Sequence, residues 1–323
     1  MPRTITKTSG PGAQEKDILK LIAAPENPPA KGARRIGIHT STAGGVPNAV
    51  ERAWRLGCNC LQVFSSSPRQ WKAANIAPEQ SDATEVLRAK YDIAPLVVHA
   101  NYLINVAGAN EEFYRKSIDA FRGEIERALA LGAEYLVLHP GSYRGLSREE
   151  GLARAAAAIA ASAKGLDLAG GELTILIENT AGAEFSLGSG FGQVAELIER
   201  LRAHIPVAAC IDTCHSYVSG YDLASEDGYE ATMQKLDATV GFKNIPVWHC
   251  NDAKAALGSK LDRHEHVGKG TMGIAAFRRL LNDARTKDAA FIAETPIDEP
   301  LDDLHNVNTL RGLVAGAKVK PKK

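Results

Sequence analysis

Ile245-Pro246-Val247-Trp248-His249-Cys250-Asn251-Asp252-Ala253-Lys254 sets an apolar run against a polar loop, with a histidine at the joint. The run reads as a buried strand. The loop continues through Gly258-Ser259-Lys260-Leu261-Asp262-Arg263-His264-Glu265-His266 to Gly270. It gathers carboxylates and imidazoles that a surface turn does not need in order to fold. Together these are the ligand set for zinc, manganese or iron. A single His at a strand end is ordinarily a polar cap, so the reading depends on whether the pattern recurs.

It does recur. Short β-rich runs occupy 35–40, 60–65, 95–100, 135–140, 174–179, 207–213, 245–251 and 289–295. Stretches of helical periodicity follow them, at 47–56, 81–90, 113–131, 148–166, 191–202, 226–240 and 274–283. In 113–131, Phe113, Ile118, Phe121, Ile125 and Leu129 form a drifting helical stripe. Alanines dominate 152–163, a strong helix former. Eight strand–helix units match an α/β fold of the (β/α)8 TIM-barrel type in number and length. A doubly wound open sheet is the alternative. The count of eight, and the lack of a Gly-x-Gly-x-x-Gly turn after the first strand, favour the barrel. The expected organisation is a disordered extension over 1–33, one barrel domain over 34–316, and a short basic tail over 317–323.

Composition narrows the class. The chain has 323 residues, 45% hydrophobic and 24% charged, ordinary for a globular protein. No apolar run reaches the roughly 18 residues of a membrane span, so no membrane partner is expected. Cys58, Cys60, Cys210, Cys214 and Cys250 give an odd count without a disulfide-framework spacing, which fits a reducing, cytoplasmic setting. Formal net charge is zero, which argues against coating nucleic acid by bulk electrostatics but permits a local basic groove.

In such a barrel the active site lies at the C-terminal ends of the strands. Strands three to eight end on His99, His139, Glu178, Asp212, His249 and Glu294. Each follows an apolar run. Burying so many ionisable groups on one face is costly unless cations neutralise them. His215, Asp262 and His264 from loops bring the candidates to nine, too many for one ion and suited to two or three. His39, at the end of strand one, is set aside as a core or capping residue. A multi-metal site of imidazole and carboxylate suits phosphoester hydrolysis. No Gly-x-Ser-x-Gly elbow or Walker loop is present.

These residues fall in recognisable motifs: His99-Ala100-Asn101-Tyr102-Leu103-Ile104-Asn105, His139-Pro140-Gly141-Ser142, Ile177-Glu178-Asn179-Thr180-Ala181-Gly182, Cys210-Ile211-Asp212-Thr213-Cys214-His215, and His249-Cys250-Asn251-Asp252-Ala253-Lys254 followed by Asp262-Arg263-His264. Over residues 34–316 the chain resembles the endonuclease IV family of apurinic/apyrimidinic endonucleases. The resemblance implies an enzyme with three Zn2+ ions, Mn2+ being an alternative in some sites. It implies cleavage of duplex DNA 5′ to an abasic site by a metal-bridging hydroxide, leaving a 3′-hydroxyl and a 5′-deoxyribose phosphate. It assigns His99 and His139 to the first ion, Asp212, His249 and Glu294 to the second, and His215, Asp262 and His264 to the third. Glu178 bridges the first two and is the catalytic carboxylate. It aligns Ser66-Ser67-Pro68-Arg69-Gln70-Trp71 with the family's DNA-penetrating loop, so that Arg69, Gln70 and Tyr102 would contact DNA while Trp71 packs. Lys254, Arg263 and Lys269 are candidate phosphate contacts. A monomer is the expected state. A metal-dependent sugar isomerase or epimerase on the same barrel is the rival reading, and the third ligand set and the Arg69 loop speak against it.

Overall fold

The computed structural model describes residues 17–67, 70–71 and 73–316. Eight parallel strands close into a barrel: β1 (Arg35–His39), β2 (Cys60–Phe64), β3 (Leu96–His99), β4 (Tyr135–Leu138), β5 (Thr174–Glu178), β6 (Val207–Asp212), β7 (Val247–His249) and, after a short antiparallel pair β8 (Asp252–Ala253) and β9 (His264–Glu265), β10 (Ala290–Ala293). β10 pairs with both β1 and β7, which completes the circle.

Side chains alternate along a strand, so every second residue faces the barrel interior. Cys60, Val97, Val137, Leu176, Cys210, Val247 and Ile292 form an inner apolar cluster, separate from the larger one between barrel and helices. On β1 the same layer holds Gly37, where a Cβ would come within 2.2 Å of the Cys60 carbonyl oxygen; only glycine allows this approach. Two residues further on, the same parity brings His39, Gln62, His99, His139, Glu178, Asp212, His249 and Glu294 to one level at the C-terminal mouth. A period of two thus converts eight apolar strands into one ring of polar side chains.

The outer layer is helical: α1 (Ile18–Leu21), α2 (Val46–Arg55), α3 (Pro78–Tyr91), α4 (Glu111–Ala130), α5 (Arg148–Ala163), α6 (Phe191–Leu201), α7 (Thr213–Val218), α8 (Glu226–Thr239), α9 (Ile274–Asn282) and α10 (Asp302–Leu313). α6 buries Phe191, Val194, Leu197, Ile198 and Leu201, a stripe at helical spacing. Ser147 and Glu150 close a reciprocal capping box on α5. Two of the helices without a sequence expectation, α7 and α10, lack such a stripe: all of α7 is buried, and α10 buries Asp303 and Asn306 beside Val307 and Leu310.

The expected disordered extension does not hold for residues 17–33. Ile18 joins the core at 4% exposure, and Asp17 receives the Arg52 Nε at 3.0 Å. Arg55 Nη1 donates to the carbonyls of Leu19 at 2.7 Å and Ile22 at 2.9 Å. Composition missed this because one apolar residue and two arginines of α2 anchor the segment, which needs no core of its own. The expectations for 1–16 and 317–323 lie outside the described residues, as does Arg69. Among the described residues no helix is long and apolar enough to cross a membrane.

Candidate metal centre

Glu178, at the end of β5 and fully buried, is the hub. Its Oε2 lies 3.1 Å from His99 Nε2 and 3.1 Å from His139 Nε2. Its Oε1 lies 3.0 Å from His249 Nδ1, which is also 3.1 Å from Glu294 Oε2. Asp212 ends β6 and caps α7, its Oδ1 accepting the His215 N–H at 2.7 Å. That cap places His215 on the first turn of α7, with Nε2 3.3 Å from Asp262 Oδ2. His264 comes from β9, held against β8 by pairing with Ala253. Asp252 secures this excursion, its carboxylate accepting N–H donors from Ala253, Gly270, Met272 and Gly273.

The ligand atoms fall into three groups, each with all its members within 4.8 Å of one another: His99 with His139 and Glu178; Glu178 with Asp212, His249 and Glu294; and His215 with Asp262 and His264. Glu178 is common to the first two. All nine expected residues are therefore brought together.

Hydrogen bonds set the tautomers. Nδ1 of His99 donates to the Ala100 carbonyl at 2.7 Å, that of His215 to Asn179 at 2.9 Å, and that of His264 to Glu294 at 3.0 Å. Each ring then turns an Nε2 lone pair into the site. A lone pair facing a carboxylate oxygen at about 3 Å is held there by a shared proton or a shared cation. Among the described residues His264 Nε2 is buried with no hydrogen-bond partner, a rare condition for a polar atom and the one expected of a metal ligand. Orphaned acceptor and donor set together fit divalent cations.

Charge gives the same answer. Burial opposes ionisation of Glu178, yet His139 and His249 reverse this and hold its carboxyl well below the usual range. Glu294 is likewise held low against burial, by His249, His39 and His99. Burial also opposes the imidazolium of His215, and Asp212, Asp262 and Glu178 outweigh it, raising that ring well above its ordinary value. Without cations the carboxylates thus recruit protons onto the histidines. Divalent ions offset the same negative charge while leaving the imidazoles neutral and free to ligate.

Two further clusters are less apt. Cys214 lies near Asp212 and His264, but burial raises its thiol, which stays protonated and ligates poorly. His266 lies near Asp298 and Asp302, but its Nδ1 accepts from Asn306 Nδ2 at 3.0 Å, which leaves the proton on the nitrogen that faces the carboxylates.

Sequence reading gave no role to three buried amides. Asn251 donates to Asp212 Oδ2 at 2.6 Å and accepts the Glu294 N–H at 2.7 Å. Asn179 accepts the Asp212 N–H at 2.7 Å. Gln62 touches both His249 and Glu294. The available signal was parity: Gln62 is a polar residue two positions after the inward-facing Cys60. His39, set aside earlier, stands 3.3 Å from Glu294 Oε1.

Above the ring, Tyr102 is 69% exposed, its ring edge-on to Phe64 with centroids 5.2 Å apart. A cleft of about 420 Å3 opens beside it, lined by His139, Ser142, Thr180, His215 and Asp262. Gln70 is exposed, and its carbonyl lies 3.4 Å from Asn101 Nδ2. Trp71 packs against the core beside Phe113. Lys254, Arg263 and Lys269 are exposed, with Lys254 Nζ 3.7 Å from Glu265.

Residues 50–313 match the family model described as xylose isomerase-like TIM barrel. A probable endonuclease 4 of Solibacter usitatus is 44% identical over 288 residues, covering 88% of this chain and 98% of the relative. One from the archaeon Cenarchaeum symbiosum is 39% identical over 281 residues, covering 86% and 99%. The crystal structure of endonuclease IV from Thermus thermophilus superposes with a TM-score of 0.75 at 37% identity, covering 86% of this chain and 98% of that one. A D-tagatose 3-epimerase-like protein shares the fold at 19% identity and a TM-score of 0.62.

Proposed function

Because the chain belongs to the endonuclease IV family of xylose isomerase-like TIM barrels, and is thereby a metal-dependent DNA-repair endonuclease, we propose that it hydrolyses the phosphodiester 5′ to an abasic site with three zinc ions. The products would be a 3′-hydroxyl and a 5′-deoxyribose phosphate. The observation that carries this is the three-part ligand set that shares Glu178 and includes the orphaned His264 Nε2.

His99 and His139 would hold the first ion, Asp212, His249 and Glu294 the second, and His215, Asp262 and His264 the third, with Glu178 between the first two. Such ions supply a nucleophile from water near neutral pH and offset charge on the phosphate and the leaving oxygen. The protein orients them. Backbone carbonyls of Ala100, Asn179 and Glu294 fix three imidazoles, and the barrel wall excludes water from Glu178. His139 and Asp262 are the more open members, with side chains 32% and 55% exposed, so substrate would approach from their side. The cleft there suits a sugar–phosphate unit turned out of the helix. Tyr102, Gln70 and Arg69 would fill the gap in the base stack. Free, buried cysteines fit a reducing, cytoplasmic setting, and a monomer suffices because one chain supplies all nine ligands.

The rival, a sugar isomerase or epimerase, uses fewer ions and has no need of the His215–Asp262–His264 group. The deciding experiment pairs metal analysis of the purified protein with nicking of a duplex bearing one abasic site. About three zinc ions per chain and a single cut 5′ to the lesion are expected. One tightly held ion, no nicking, and indifference to chelators would refute the reading.

A further inference from the structure

Of the eight side chains that form the ring at the mouth of the barrel, Gln62 is the one that is neither ionisable nor apolar. It is fully buried in the middle of β2, level with His39. Its amide has only one orientation consistent with its neighbours. Glu294 Oε1 can only accept, so Gln62 turns Nε2 toward it, and the same amide nitrogen lies 3.0 Å from His39 Nδ1. Its carbonyl oxygen then faces His249 Nε2 at 2.8 Å. That oxygen can only accept, so His249 carries its proton on Nε2 and turns the Nδ1 lone pair toward Glu178 and Glu294.

His249 is thereby reversed relative to His99, His215 and His264, whose Nδ1 atoms donate to backbone carbonyls. Among the described residues no backbone carbonyl serves His249; the side chain of Gln62 does so instead. One neutral amide thus fixes the tautomer of one residue and the carboxylate orientation of another in the same group. We infer that Gln62 is the positioning residue for the ion held by Glu178, Asp212, His249 and Glu294, and that it selects that site's geometry from outside the ligand set.

This rests on the metal reading above, and the test separates the two. Zinc content and competition against a chromophoric chelator are measured for wild type and for Gln62→Leu, which keeps the volume but can neither accept nor donate. Wild type should hold about three ions. Gln62→Leu should keep its circular dichroism and release one ion per chain about 10- to 100-fold more readily, the usual effect of losing a partner behind a ligand. The other ions should stay as tight as in wild type. Gln62→Glu keeps the acceptor for His249 but sets a carboxylate against Glu294, so it too should loosen a single ion. If Gln62→Leu does not fold, Gln62→Glu decides alone. Wild-type zinc content and affinity in the folded variant overturn the inference. A wild-type protein that binds no zinc sinks the metal reading itself, and the inference with it, before any variant is compared.

Discussion

A carboxylate that lies within about 3 Å of three imidazoles is fixed by what it neutralises. Glu178 offers one oxygen to His99 and His139 and the other to His249. Glu178→Gln keeps the shape and removes the charge. The barrel should stay folded, because the inner apolar layer below it is unchanged, while nicking falls by at least about 100-fold. A folded variant that nicks at the wild-type rate would show that the hub has been misplaced. In the proposed function Tyr102 serves recognition and not metal binding. It is exposed, and its ring lies against those of Phe64 and His99. Tyr102→Ala should weaken binding to abasic duplex by about 1–3 kcal/mol, the worth of one aromatic stacking contact. Its zinc content should not change, and the loss on intact duplex should be smaller. Equal losses on both duplexes would make Tyr102 a generic surface contact.

At the scale of elements, α4 does more than cover the barrel. Glu124 and Arg127, 1% and 5% exposed, pair at 3.0 Å beneath the two loops that carry the proposed recognition residues. Ser65, at the root of the loop after β2, donates to Glu124 and accepts from Arg127 Nε at 2.8 Å. Asn101, at the root of the loop after β3, lies 3.4 Å from both Glu124 Oε1 and the Gln70 carbonyl. Glu124→Gln should therefore cost on the order of 3 kcal/mol in denaturant unfolding, as expected when a buried pair loses one charge. It should also weaken abasic-DNA binding with zinc content intact; an effect on stability alone would show that the pair does not hold the loops. None of this was legible beforehand, because Glu124 and Arg127 look like solvated helix charges and their hydrogen bonds to Ser65 span 59 and 62 residues of sequence. The eight strands and the six candidate ligands at their ends were legible because an apolar run ending in a histidine or carboxylate is a local pattern. Gln62 and Asn251 were not, since an amide has no signature until its neighbours are known. Residues 17–33 were misjudged for a related reason: composition records the lack of a core but not the arginines of α2 that anchor the segment.

For the molecule as a whole, the ring of ionisable groups couples folding to both metal and pH. In the metal-free protein His99, His215 and His249 are raised above the ordinary imidazole value: at His99 and His215 the facing carboxylates outweigh burial, and at His249 the Cys210 sulfur, Glu294 and Glu178 do so. A raised imidazole stabilises the fold fully below its unfolded value of about 6.5, and that contribution disappears as pH climbs through the folded value. Glu178 and Glu294 are lowered, so their contribution is present above about 4.5 and disappears as pH falls through their folded values. The site therefore supports the metal-free fold best between about pH 4.5 and 6.5. Zinc demands the opposite protonation, since an imidazole that ligates must lose its proton, and binding strengthens as pH rises. The chelated protein should melt at a lower temperature at pH 8.5 than at pH 6, and the rise in Tm on adding zinc should be larger at pH 8.5. At this chain length each kcal/mol corresponds to about 2–4 °C or somewhat less, which scanning calorimetry resolves. A zinc-induced rise of equal size at both pH values would mean that the histidines do not exchange protons for metal, and that the charge balance drawn around Glu178 is wrong.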